Sequence, residues 1–192
     1  MQIFSRVACL ILGLRVEIKG KENLIPNQQY VFVMNHQSNF DVVLGSCLKL
    51  KNTIALGKFE ILFFPIFGLF FYLAGNVLVK RKKRKSIARS VRKIDKMIQE
   101  KKQSVMIMPE GTRSHRYEMG PFKLGAFRIA IRNKVPILPI VVSSWHEEVN
   151  LNRFSSGIIY IEFLSMVTSD GHDSLSANNM AKIVRSRMEQ AQ

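Results

Sequence analysis

Short apolar runs bounded by polar turns alternate along this chain with longer segments whose apolar residues recur every three or four positions. The runs are Tyr30 to Met34 (YVFVM), Ser104 to Met108 (SVMIM), Ile137 to Val142 (ILPIVV) and Ile158 to Phe163 (IIYIEF). Each predicts a strand, and the continuous apolar character of the first two predicts burial on both faces. The segment from Ser86 to Lys101 places Ile87, Val91, Ile94 and Ile98 at spacings of four, three and four, which predicts an amphipathic helix. Helices are likewise expected over Asp41 to Leu50, with Ser38 and Asn39 as candidate N-caps, over Phe122 to Arg132, and over Met180 to Gln190. Strands alternating with helices predict a single α/β domain in which a central sheet is flanked by helices. No internal repeat or low-complexity linker interrupts the 192 residues.

Two longer apolar tracts bear on membranes. The first fourteen residues, MQIFSRVACLILGL, lack a small-residue cleavage site and are too short to span a bilayer. They read as an amphipathic helix, the end of a longer anchor in one version of that reading. The expected division is a membrane-associated helix over residues 1–15 and a single folded domain over 16–192. The second tract, Ile61 to Val79, is long enough to span on length alone, but Pro65, Gly68, Gly75 and Asn76 punctuate it. A buried or half-inserted helix followed by a strand is the expectation there, with a transmembrane helix as the alternative.

Charge narrows the class of partner. Lys and Arg number 29 against 14 Asp and Glu, a net +15, which suits nucleic acid, an anionic bilayer or a phosphorylated substrate. Cys9 and Cys47 lie in apolar stretches without metal-type spacing, so they read as reduced core residues. None of the four histidines clusters with cysteine, which argues against structural zinc. His115, His146 and His172 read as surface residues. Neither G-x-S-x-G, a P-loop nor G-x-G-x-x-G is present, which leaves serine-hydrolase and those nucleotide-binding chemistries unsupported.

The chemistry-bearing residues fall in three groups. His36 and Asp41 form H-x4-D: an imidazole can take a proton from a hydroxyl, and a carboxylate on its other nitrogen fixes the tautomer. Five positions on a regular helix would set the two side chains about 140° apart, so they meet only across a strand-to-helix turn. A structural histidine capping a helix is the plain alternative. PEGTRS, Pro109 to Ser114, follows a predicted strand. Gly111 allows a tight turn, Thr112 offers a hydroxyl, and Arg113 offers a planar fork for phosphate oxygens. Glu110 would orient that arginine or bind a substrate hydroxyl; an ordinary polar turn is the alternative. Lys58 and Arg81 bracket the apolar tract, and KRKKRK at 80–85 reads as a solvated run, a nucleic-acid patch or a bilayer contact.

Together these segments resemble the glycerolipid acyltransferases, particularly the 1-acyl-sn-glycerol-3-phosphate acyltransferase family in its gammaproteobacterial form. NHQSNFD resembles that family's first motif. Lys58, Pro65, Gly68, Gly75 and Arg81 fall on the spacing of the second, MPEGTRS on the third and VPILPI on the fourth, with PFKLGAFRIA between the last two. The resemblance, which runs from about Leu14 to the end, implies the family's fold, with a mixed sheet. It also implies acyl transfer from acyl-CoA or acyl-carrier protein to the sn-2 hydroxyl of lysophosphatidic acid, giving phosphatidic acid. His36 would be the base and Asp41 its partner. Lys58, Arg81, Glu110, Gly111, Thr112 and Arg113 would hold the glycerol phosphate, and Pro139 would shape a pocket. No metal or cofactor is implied beyond the acyl donor. The expected location is the cytoplasmic face of the inner membrane, peripheral or monotopic. Two departures stand out: Lys80 where the family often has an acidic residue, and Met108 where an aromatic residue is usual.

Two rival functions remain in view. One keeps the chemistry and changes the acceptor to another lysophospholipid or an amino-lipid. The other is a non-enzymatic basic module binding membrane or nucleic acid, which leaves H-x4-D and PEGTR without a purpose.

Overall fold

Period-two alternation in the three central strands builds two cores from one sheet. In the computed structural model, which describes residues 2–38, 40–64, 67–113, 118–145, 149, 156–168 and 176–192, these strands are β2 (Val31–Met34), β5 (Ser104–Ile107) and β6 (Ile137–Val142). Val31, Val33, Val105, Ile107, Ile137 and Val141 face one core. Phe32, Met34, Met106, Leu138, Ile140 and Val142 face the other. Every residue of the three strands is buried, as a sheet covered on both faces requires.

The remaining strands are β1 (Leu14–Lys19), β3 (Thr53–Lys58), β4 (Val77–Val79) and β7 (Gly157–Phe163). The order across the seven-stranded sheet is β1-β7-β6-β2-β5-β3-β4. All pairings are parallel except β6 with β7, so the sheet is mixed, as expected. Helices α4 (Arg84–Lys101), α5 (Gly125–Asn133) and α6 (Ala177–Gln190) cover the first core. Helices α1 (Gln2–Ile11) and α2 (Asp41–Cys47) pack together over the second.

The four strands read from apolar runs are present within a residue of their expected ends. The helices begin or stop up to three residues away: α2 stops at Cys47, three short of Leu50, and the chain turns through Lys49 in the left-handed region at φ 54°. Ser38 does not cap α2, whose N-cap is Phe40 without a side-chain bond; its hydroxyl accepts the Phe40 N–H at 3.2 Å instead. Asn39, His115, His146 and His172 lie outside the described residues.

β1 and β3 are not among the continuous apolar runs, although β1 shows the period-two alternation of a half-buried strand. LRVEIK alternates apolar with charged residues at a sheet edge. TIALGK contains Gly57, where a Cβ would sit 2.7 Å from the Phe71 ring. That glycine weakens the strand signal yet lets α3 (Phe67–Leu73) lie against β3. Apart from Pro65 and Ile66, which lie outside the described residues, the apolar tract folds as a 3-10 turn (Phe59–Phe63), α3 and β4. Asn76 ties the pieces together: its carbonyl accepts the Ala55 N–H at 2.7 Å and its amide donates to the Phe71 carbonyl at 2.9 Å. No helix among the described residues is long and apolar enough to cross a membrane. The boundary expected at 15–16 falls inside β1, which pairs along its length with β7.

Candidate active site

Because β2 to β6 run parallel, their C-terminal ends open on one edge of the sheet, where ligands of α/β proteins bind. The candidate residues sit there in turn: His36 after β2, Lys58 at the end of β3, Arg81 after β4, and Glu110 to Arg113 after β5. The exception is Pro139. It lies inside β6 in register with Val33, three residues before the strand ends, and its carbonyl accepts the Leu164 N–H at 2.9 Å. The β7 ladder begins only at Ile140, so the proline's missing N–H costs no ladder bond there.

Asn35 fixes the departure of the chain from β2. Its amide donates to the Val142 carbonyl at 2.9 Å and its oxygen accepts the Val142 N–H at 2.8 Å, which extends the β2–β6 connection through a side chain. Gln37 donates to the same carbonyl at 3.1 Å. Between these two anchors His36 points to the site with its side chain 14% exposed. Its Nδ1 lies 2.8 Å from Asp41 Oδ2. The same carboxylate oxygen accepts the N–H groups of Gln37 at 2.7 Å and Ser38 at 2.8 Å, and Oδ1 accepts the indole N–H of Trp145 at 2.9 Å. Asp41 is 1% exposed. A carboxylate this buried is tolerable only when such donors replace water. Since it accepts, Nδ1 of His36 carries the proton and Nε2 presents its lone pair outward. The pair meets across the strand-to-helix turn that its spacing requires.

Glu110 occupies a different position from the one expected. It is 3% exposed, and its two oxygens accept the His36 N–H at 2.7 Å and the Gly120 N–H at 2.9 Å. Burial raises its carboxyl above the ordinary range; the two N–H bonds and the nearby His36 pull it back, and Asp41 opposes them. Glu110 therefore braces the backbone that carries the base, with both oxygens spoken for by main chain. Gly120 permits this approach, since a Cβ there would come 3.0 Å from Oε2.

Cationic groups gather around Gly111, which is left-handed at φ 70°. Arg81 donates through Nη1 to the Gly111 carbonyl, and burial lowers its guanidinium pKa while nearby Glu60 opposes the shift. Lys123 lies over the same glycine: a Cβ at residue 111 would meet its Nζ at 2.5 Å. Thr112 is exposed and Arg113 partly buried on the same turn. Lys58 is half-exposed and faces Glu60 at 3.5 Å. Lys80 places its ammonium 3.9 Å from the centre of the Phe59 ring, and Met108 packs against the second core. Sequence reasoning assigned no role to Asn35, Gln37, Gly120, Lys123 or Trp145. The first two flank His36 in NHQS, and Lys123 lies in PFKLGAF, so those three carried a local signal.

A buried carboxylate orienting an imidazole, beside a cation-ringed glycine turn at the C-terminal edge of a parallel sheet, suits proton abstraction next to an anionic group. The family model described as Acyltransferase matches residues 15–143, and the chain belongs to that family. It is 33% identical over 188 residues to the 1-acyl-sn-glycerol-3-phosphate acyltransferase of Escherichia coli K12, covering 98% of this chain and 76% of that protein. It is 31% identical over 179 residues to the enzyme of that name from Haemophilus influenzae, covering 93% and 75%. The alpha form from Homo sapiens is 34% identical over 163 residues, covering 84% of this chain and 58% of that protein. The crystal structure of the 1-acyl-sn-glycerophosphate acyltransferase of Thermotoga maritima superposes with a TM-score of 0.78 at 22% identity, over 99% of this chain and 76% of that one. That likeness establishes the fold.

Proposed function

We propose that this acyltransferase moves a fatty acyl group from acyl-CoA or acyl-carrier protein to the sn-2 hydroxyl of 1-acylglycerol-3-phosphate, giving phosphatidic acid, with His36 as general base. The observation that carries this reading is the His36–Asp41 pair facing the same edge as Arg81, Gly111 and Arg113. The acceptor phosphate would rest among those cations and place its hydroxyl at Nε2 of His36. As the hydroxyl oxygen attacks the thioester carbonyl, its proton passes to Nε2 and Asp41 stabilises the imidazolium. Collapse of the tetrahedral adduct breaks the C–S bond, and the imidazolium returns the proton to the departing thiolate. No acyl-enzyme is needed, and no metal or further cofactor enters the scheme.

The test supplies purified protein with labelled acyl-CoA and a panel of lysophospholipids, and identifies products by mass. Phosphatidic acid is the expected main product, and Arg113→Gln should raise KM for the lysophosphatidate about 10- to 100-fold, the value of a charged hydrogen-bonded contact. Equal rates with acceptors lacking a terminal phosphate would refute the assignment of the acceptor, and an amino-lipid product would replace it.

The membrane reading rests on a separate surface. Phe63, Phe64, Leu69, Phe70, Tyr72 and Leu73 are exposed on the 3-10 turn and α3, and the basic run at 80–85 follows directly after β4. Apolar insertion beside basic residues suits an anionic bilayer. Replacing Lys82, Lys83 and Lys85 by Gln should weaken binding to phosphatidylglycerol-containing vesicles about fivefold per charge. The loss should shrink at high salt, as read by vesicle co-sedimentation.

A further inference from the structure

We infer that Trp145 is a positioning residue of the base, acting on His36 through Asp41. Of the four groups among the described residues that donate to Asp41, three come from residues 36 to 38 and all converge on Oδ2. The fourth, the Trp145 indole N–H, reaches Oδ1 from three residues beyond the end of β6, 104 positions away in sequence. The torsion that turns an aspartate carboxylate is broad and weakly held, so donors on one oxygen leave its plane free to swing. A donor on the second oxygen fixes that plane and aims Oδ2 at Nδ1.

Trp145 is itself held at both ends. Its backbone N–H donates to Gln37 Oε1 at 3.3 Å. Its ring lies against Phe40, with centroids 5.4 Å apart and planes tilted by 33°. The residue is 8% exposed, so water does not readily substitute for the indole, and Oδ1 would be left buried without a partner. Gln37, Phe40 and Trp145 thus lock the turn carrying the base to the end of β6. Among the described residues, the charged groups bonded to His36 are Asp41 from α2, on its ring, and Glu110 from the turn after β5, on its backbone N–H.

This inference rests on His36 being the base, so the experiment separates the two. In the wild type, kcat/KM should fall along an acid limb, and His36→Ala should remove most activity; an active His36→Ala enzyme would overturn the base itself. Trp145→Phe keeps a ring against Phe40 and deletes only the donor. It should lower kcat about 10- to 100-fold with KM for both substrates nearly unchanged. The acid limb should also move to higher pH, because a carboxylate relieved of one donor concentrates its charge on the imidazolium. Phe40→Leu, which loosens packing but keeps the N–H, should leave the limb in place. If His36 is essential and Trp145→Phe leaves both kcat and the limb unmoved, Trp145 is structural and the inference fails. Should that variant not fold, the wild type gives the answer alone. The chain has one Trp, so its single indole N–H resonance in the 15N spectrum should shift along the acid limb, and a signal indifferent to pH would overturn the proposal.

Discussion

His36→Ala is expected to lower kcat by on the order of 10³-fold or more, within the range that a positioned general base supplies, while the fold and vesicle binding persist. Nothing else in the described site is placed to take the acceptor's proton. Glu110, the nearest other acid, has both oxygens occupied by the His36 and Gly120 N–H groups, and Asp41 has its acceptors filled by four donors. The substitution also leaves the supports of the turn intact, since Asn35 and Gln37 hold it to Val142 through their own side chains. Thermal unfolding should therefore change little while acyl transfer collapses. Activity within tenfold of wild type, measured on protein with an unchanged melting curve, would remove His36 from the mechanism.

How far the sequence announces this site depends on the distance over which each contact acts. H-x4-D was legible because the partners are five positions apart, and the helix geometry that forbade a simple pair correctly demanded a turn between them. The central strands were legible because burial on both faces leaves no polar position to break the run. β1 carries the other strand signature, Leu14, Val16 and Ile18 alternating with Arg15, Glu17 and Lys19, which reads as a half-buried strand but is passed over when only continuous apolar runs are taken as strands; β3 is not legible, since Gly57 serves the Phe71 ring rather than strand propensity. Glu110 is legible as a site residue, but its neighbours are not: a carboxylate directly before a glycine turn looks like a ligand-facing group, and only the fold shows main-chain N–H groups closing on it. Trp145 carried no signal, because its partner lies on another element and its own surroundings read as the end of a strand.

Asp41→Asn is expected to cost roughly 10²- to 10³-fold in kcat, and the reason differs from simple removal of a partner. An amide offers one oxygen and one NH2 where the carboxylate offered two oxygens. If the NH2 replaced Oδ2 it would oppose His36 Nδ1 and the N–H groups of Gln37 and Ser38 together; if it replaced Oδ1 it would oppose only the Trp145 indole. The second arrangement is the cheaper one, so the amide oxygen stays toward His36 and the Nδ1–H tautomer survives. What disappears is the negative charge that stabilises the imidazolium, which is why the loss should fall below the ~10⁴-fold seen when a triad histidine adopts the wrong tautomer. Two consequences follow in sign. With that charge gone the acid limb of kcat/KM should move to lower pH, opposite to Trp145→Phe. The opposed N–H groups at Trp145 should also destabilise the fold by about 1–3 kcal/mol, a penalty that adding Trp145→Phe should partly relieve. A double-mutant cycle in thermal stability and pH-rate profiles measures both. Strictly additive melting temperatures, with the acid limb unmoved by Asp41→Asn, would mean that the carboxylate neither feels the indole nor acts electrically on the base.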